Sequence, residues 1–168
     1  MTQGEARRVG IFGVLNLTLD SFSDGGQFAS RERALAHAQQ LLDHGADVLD
    51  VGAESTNPEG ADVPAGEEID RLAVVVPELV ARGVPVSVDT RKAEVMAWAA
   101  AQGVRWLNDV HGFRDPQSLQ VAAGCDAGLV CMFNRSADGR ASSGHQGDAG
   151  TVVEECADFF RDRMAAFA

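Results

Sequence analysis

Val84-Pro-Val-Ser-Val-Asp-Thr-Arg91 is an apolar run of strand length that stops at a carboxylate and a polar loop, after which a helical pattern begins. The same cycle recurs along the chain. Val9 to Leu15, Asp47 to Val51, Val84 to Val88, Trp106 to Val110 and Gly128 to Met132 are the candidate strands. Runs that are apolar on both faces point to parallel strands covered on two sides.

Helical patterns follow each run. The first is expected from about Arg31 to His44, with Ser30 as N-cap, Ala34, Leu35, Ala38, Leu41 and Leu42 as its apolar stripe, and Gly45 as its stop. The second spans about Gly66 to Arg82 and carries Pro77, which predicts a kink or break. Arg91 to Gln102 and Pro116 to Ala123 read as the third and fourth. Thr151 with Glu154 reads as a capping box opening a fifth, with Val153, Cys156, Phe160 and Met164 on one side. Five strand-helix units with right-handed crossovers leave two α/β architectures, a doubly wound open sheet and a (β/α) barrel. In both, the loops after the strands' carboxyl ends build the site.

At 168 residues, with 45% hydrophobic and 23% charged content, the chain suits one globular domain over 1–168. The net charge of -11 argues against a nucleic-acid or anionic-membrane partner, which needs a basic field. A small anionic substrate remains compatible with it, because one site can be locally positive or hold a metal ion. Lys92 is the only lysine. Cys125, Cys131 and Cys156 are odd in number and lack zinc spacing, so they read as buried thiols of a reducing compartment. No apolar run approaches the roughly 20 residues that span a bilayer, and Met1 to Arg8 has no signal-peptide core, so a cytoplasmic location is the expectation.

The strand ends carry the chemistry. They deliver Asn16 with Asp20, Ser21 and Asp24; Asp50 with Glu54, Ser55 and Thr56; Asp89 with Thr90 and Arg91; Asn108 with Asp109; and Met132 with Phe133 and Asn134. Singly these are ordinary cap and turn residues. Five sets at one rim point to a binding site. An unpaired buried carboxylate such as Asp89 is costly, so it needs an arginine or the N–H groups of a ligand. Asn108 offers both donor and acceptor, and a heterocycle with N–H and C=O groups along one edge would satisfy the pair. Asn16 offers a neutral oxygen suited to Mg²⁺, which keeps waters and shares positions with substrate phosphates. Gly25-Gly26 suits a loop that closes as a lid.

Four segments carry a family resemblance: 13–26 (GVLNLTLDSFSDGG), 45–58 (GADVLDVGAESTNP), 86–90 (VSVDT) and 107–110 (LNDV). In order and spacing they closely resemble dihydropteroate synthase, a pterin-binding enzyme, and the resemblance spans nearly the whole chain. It implies a TIM-type (β/α)₈ barrel, here truncated after about five units, so that 1–168 would be a single pterin-binding domain forming the barrel's amino-terminal part. The implied reaction joins 6-hydroxymethyl-7,8-dihydropterin pyrophosphate to 4-aminobenzoate: Mg²⁺-assisted departure of pyrophosphate leaves a pterin-methyl cation, which the arylamine attacks. Carried onto this chain, Asn16 is the Mg²⁺ ligand and Thr56 contacts the pyrophosphate-bearing substrate. Asp89 and Asn108 hold the pterin, with Asp50 beside them as a substrate-binding residue, and Met132 lines the slot. Phe22 and Asp24 are the catalytic residues of the closing loop, and Pro58 borders the aminobenzoate pocket.

There are departures from the family pattern. Leu19 stands where the motif usually has proline, and Asn57 where it has an arginine that helps bind pyrophosphate. The Ser-Thr-Asn-Pro-Glu stretch, 111–116 and 135–147 are more similar to the family's sulfonamide-insensitive branch. The later pterin aspartate, lysine and arginine-histidine anion site have no counterpart. A five-unit piece is expected to expose the edges of its first and fifth strands and to be part of a longer protein, a truncated product, or an oligomer such as a homodimer that completes its sheet. The rival readings are a non-catalytic pterin-binding paralogue and a barrel of methyltetrahydrofolate methyltransferase type.

Overall fold

Residues 9–17, 26–54, 62–135 and 149–168 are described by the computed structural model. Five parallel strands, β1 (Phe12–Asn16), β2 (Val48–Gly52), β3 (Val86–Asp89), β4 (Trp106–Asp109) and β5 (Gly128–Cys131), form one sheet in sequential order. Each strand is followed by helix: α1 (Gly26–Asp43), α2 (Ala65–Ala73) with α3 (Val76–Ala81), α4 (Ala93–Gln102), α5 (Pro116–Ala123) and α6 (Ala149–Ala166).

Sequential order is the mark of a barrel wall, and one contact measures its curvature. The rings of Phe12 on β1 and Trp106 on β4 meet edge to face at 6.1 Å between centroids. Three strand spacings across a flat sheet would separate these strands by about 14 Å. The sheet therefore curls, with Phe12 and Trp106 on its concave face.

The core lies on the other, convex face. Leu15, Leu49, Val51, Val88 and Leu107 pack there against Leu72, Val76, Leu79, Val95 and Met96 of the helices. The apolar stripe expected of α1 faces this core, with Ala38 fully buried and Leu35, Leu41 and Leu42 packed beside it. Gly13 lets the end of α1 approach β1: a side-chain carbon there would stand 2.9 Å from Cβ of Ala46 and 3.3 Å from Cβ of Leu41.

Several helix boundaries differ from the sequence reading. α1 starts at Gly26, so Ser30 lies inside the helix and is not its N-cap. The expected second helix is two helices, α2 and α3, broken at Val74–Val75; Pro77 sits in the first turn of α3, where its missing N–H is not needed. α4 ends as expected at Gly103, whose φ of +81° suits glycine. Asp115 caps α5 by accepting from the Gln117 N–H at 3.0 Å.

The last helix begins at Ala149, which puts Thr151 within it rather than at a capping box. It touches the barrel through a face offset by one residue from the expected stripe. Phe159 packs on Phe133, Phe167 packs on Phe113, and Arg163 donates to the Phe113 carbonyl at 2.8 Å. Val153 and Met164 face outward, 70% and 68% exposed. Among the described residues, no helix is long and apolar enough to cross a membrane, and β1 and β5 are the edge strands, with Ile11, Phe12 and Val14 exposed at the first.

Gly128 stands beside Trp106 in register, and a side-chain carbon there would overlap the indole ring. Gly128→Ala is accordingly expected to lower stability by about 1–3 kcal/mol, the usual range for overpacking, with a shift in tryptophan fluorescence. Urea melts of the two proteins measure it, and equal midpoints would refute this account of Trp106.

Candidate functional site

Parallel partners point their side chains to the same face, so the register fixes who meets whom. Asn16 pairs with Gly52, Gly52 with Asp89, and Asp89 with Asn108. These four form the last inward-facing row at the carboxyl ends of β1 to β4. The row below is Val14, Asp50, Ser87, Trp106 and Gly128. Met132, one residue past β5, continues the alternation begun by Val130, which pairs with Asn108; it is 41% exposed.

The structure thus brings together Asn16, Asp50, Asp89 and Asn108, with Met132 at the flank. Phe22, Asp24, Thr56 and Pro58, like Leu19 and Asn57, lie outside the described residues. Gly52 keeps the space between the first two strand ends open. A side-chain carbon at that position would stand 3.6 Å from Oδ1 of Asn16 and 3.7 Å from Oδ2 of Asp89, so both polar groups border one small volume.

Hydrogen bonding ties the upper row to the lower one. Asn108 Nδ2 donates to Asp50 Oδ2 at 3.0 Å, which fixes the plane of the amide. Asp50 Oδ1 and the hydroxyl of fully buried Ser87 have no hydrogen-bond partner among the described residues. Two buried polar atoms without partners are expensive to leave so. They mark a place where a donor-bearing ligand or a water is accommodated.

The electrostatics of this cluster are acidic. Burial, reinforced by the nearby charges of Asp50, Asp109 and Glu68, pushes the Asp89 carboxyl up from 3.8 to about 7. Asp109 adjoins Asn108 in sequence but faces the opposite side. It is fully buried and accepts from the N–H groups of His111 at 2.7 Å and Phe113 at 2.8 Å. Burial raises its pKa despite those bonds. Its task is to hold the turn at Gly112 and Phe113, whose φ values are +65° and +55°.

Sequence reasoning missed Ser87 and Trp106 as inward residues. The signal was there: each stands two positions before a residue already chosen, Asp89 and Asn108, and period two puts both on one face. It also missed the partners of the basic residues. Lys92 Nζ is held by Glu54 and by Glu68 at 2.6 Å, and Arg91 by Glu54 at 3.2 Å and Asp62 at 2.5 Å. A separate groove of about 690 Å³, bounded by Ala97, Ala101, Arg105, Cys125 and Asp126, lies at the amino-terminal end of the strands, away from this chemistry.

Comparison with known proteins accords with the geometry. The family described as "Pterin binding enzyme" matches residues 12–168. The chain is 42% identical over 156 residues to dihydropteroate synthase type-2 of Escherichia coli, covering 93% of this chain and 57% of that protein. It is 40% identical to dihydropteroate synthase type-3 of the same organism, covering 93% and 59%. A solved dihydropteroate synthase from Clostridium difficile, crystallised in the presence of pteroic acid, superposes with a TM-score of 0.84 at 35% identity, covering 99% of this chain and 61% of that one. The enzyme from Xanthomonas albilineans with 4-aminobenzoic acid gives 0.82 at 38% identity, covering 95% and 57%. The chain therefore spans somewhat over half the length of these relatives.

The acidic cluster predicts a pH dependence. Between the ordinary carboxylate range and about pH 7 the folded protein keeps the Asp89 proton while the unfolded chain has lost it, so stability falls as pH rises through that window. Asp89→Asn removes the effect. Relative to the parent, the variant gains stability of a few kcal/mol on going from pH 5 to pH 8, read from urea melts; an equal difference at both pH values would contradict the assignment.

Proposed function

Because the chain belongs to the pterin-binding enzyme family, of dihydropteroate synthase type, we propose that its strand-end cluster binds 6-hydroxymethyl-7,8-dihydropterin pyrophosphate. In this reading it serves the condensation of that substrate with 4-aminobenzoate. The observation that carries the reading is the in-register row Asn16–Gly52–Asp89–Asn108 with Asp50 beneath it. A pterin edge alternates N–H donors with acceptors. An asparagine of fixed orientation, a carboxylate and a second carboxylate oxygen without a partner complement that edge.

Asp89 binds the ring as the ionised acceptor, and a ligand N–H replaces the proton that burial keeps on it. Asn108 is held by Asp50, so Asp50 acts through it as well as facing the ring. Met132 supplies an apolar flank. In this scheme Thr56 receives the pyrophosphate, and Phe22, Asp24 and Pro58 close over the reacting carbon and the aminobenzoate. The nucleophile is the substrate's amine, so no protein nucleophile is needed. The whole of 1–168 acts as one pterin-binding domain in this account, in the cytoplasm, with a homodimer as its proposed assembly.

Mg²⁺ fits the donors here as a shared ion. Asn16 offers one neutral oxygen at an exposed strand end, and among the described residues no group of three or more His, Cys, Asp or Glu side chains is gathered to hold a metal. Such a site suits a cation that takes most of its ligands from water and phosphate. When bound, Mg²⁺ supplies charge that eases departure of the pyrophosphate.

One observation favours a second reading, pterin binding without turnover. The basic side chains next to the site, Arg91 and Lys92, are each held by two carboxylates, which weakens them as anchors for a leaving group.

Calorimetric titration with the pterin pyrophosphate and Mg²⁺ tests the common part. Saturable binding is expected, weakened about 10- to 100-fold in Asp89→Ala, as loss of a hydrogen bond to a charged group implies. Absence of binding in the parent protein would refute both readings. Pyrophosphate release on adding 4-aminobenzoate then separates turnover from binding alone.

A further inference from the structure

The connection between β2 and α2 leaves the sheet at Glu54 and returns at Asp62 and Val63. Both stems are fastened to the segment that follows β3, Glu54 to Arg91 and Lys92 and Asp62 to Arg91. Glu54 accepts from Lys92 Nζ and, through its other oxygen, from Arg91 Nη2 at 3.2 Å and the Val63 N–H at 3.4 Å. Arg91 also reaches Asp62 at 2.5 Å. Lys92 continues to Glu68 of α2 at 2.6 Å, and Arg71 of α2 donates to the Ala53 carbonyl at 2.9 Å.

The burial of this ion cluster indicates what it is for. The Glu54 and Lys92 side chains are only 11% and 19% exposed, and Glu68 is fully buried. Desolvation offsets most of the Coulombic gain in such pairs, so their net contribution to stability is small while their geometric definition is high. Burial raises the Glu54 pKa, but hydrogen bonds from Lys92 and Arg91 outweigh it and hold the carboxyl below its ordinary value, so Glu54 is ionised at neutral pH. Glu54 lies two residues beyond Gly52, and Lys92 three beyond Asp89. The pair is thus a strut between the end of the strand that leads to Thr56 and the end of the strand that carries Asp89.

We propose that Glu54 and Lys92 are positioning residues whose buried ion pair fixes the stems of the β2–α2 connection, at Glu54 and at Asp62–Val63, relative to Asp89, and so sets the reach between the heterocycle subsite and the subsite for its anionic leaving group. The inference rests on the pterin pyrophosphate reading for its substrate but on the ion cluster for its mechanics. A ligand that touches only Asp89 and Asn108 is indifferent to that reach. A ligand that spans both subsites is sensitive to it. The only lysine of the chain belongs to the strut, and its charge is already balanced by two carboxylates, so it serves the anion by placement rather than by direct attraction.

The test uses Glu54→Gln, which keeps the size of the side chain and leaves the Lys92–Glu68 pair intact. Parent and variant are titrated with 6-hydroxymethylpterin, which has no phosphate, and with the dihydropterin pyrophosphate plus Mg²⁺. The bare ring should bind both proteins alike, while the pyrophosphate ester loses about tenfold in affinity for the variant, as expected when two subsites are misplaced relative to each other. Equal losses for both ligands would mean general loosening, and no loss for either would mean the strut is idle; each result overturns the proposal.

Amide hydrogen exchange on the unliganded proteins decides the mechanics separately. Glu54→Gln should speed exchange at Asp62 and Val63 while leaving Val88 and Leu107 in the sheet unchanged. Unaltered exchange at Val63 would overturn the strut even if pterin binds. Failure of the parent to bind either pterin would instead overturn the substrate reading, with the exchange result still judging the strut.

Discussion

Parallel pairing presents partner side chains on one face of a sheet, and the rest of this site depends on that constraint. Asn16, Gly52, Asp89 and Asn108 are scattered over more than ninety residues of sequence, yet the register puts them in one row. A slip of one residue in any strand would exchange that strand's polar rim for its core-facing residues. The convex face prevents the slip, because Leu49, Val51, Val88 and Leu107 are fully buried there and have no other apolar surface to occupy. Packing on one face thereby holds the chemistry on the other.

The concave face obeys a different balance. Half-buried Asp50 and Asp89 and fully buried Ser87 are gathered, among the described residues, without a basic side chain between them. A cluster of this kind is costly to a folded protein that has no ligand. The raised pKa of Asp89 is the fold's way of reducing the cost, by keeping a proton that a ligand's N–H group can replace. Strain of this sort concentrates at binding sites, where the ligand relieves it.

Much of this was legible in the sequence. The five apolar runs named the strands to within a few residues, and polar residues at or near the ends of four of them, Asn16, Asp50, Asp89 and Asn108, marked the rim, because strand ends are punctuated by a change of residue type that needs no tertiary information. Helix starts were less legible. Ser30 and Thr151 are good capping residues by type, but α1 starts at Gly26 and α6 at Ala149, ahead of both. The docking face of α6 was misjudged because Phe159 and Phe160 are neighbours, and only contact with Phe133 and Phe113 selects the stripe through Phe159 and Phe167. Asn108 and Asp109 are adjacent polar residues at the rim, and alternation sends the first inward and the second to brace a turn. The Glu54–Lys92 pair joins residues 38 apart, and nothing local to either announces the other.

The ion cluster and the acidic row together constrain what this part of the fold does unaided. A flat, uncharged ring with N–H donors meets acceptors already in place and needs no counter-charge. An anionic group beside that ring meets Arg91 and Lys92 with their charges largely balanced by Glu54, Glu68 and Asp62. In the proposed reading, positive charge for the leaving group therefore comes from a cation or from residues outside this cluster. In the proposed reading, ring recognition and leaving-group stabilisation are thus separable: the first draws on four strand ends, and the second on charge brought to them.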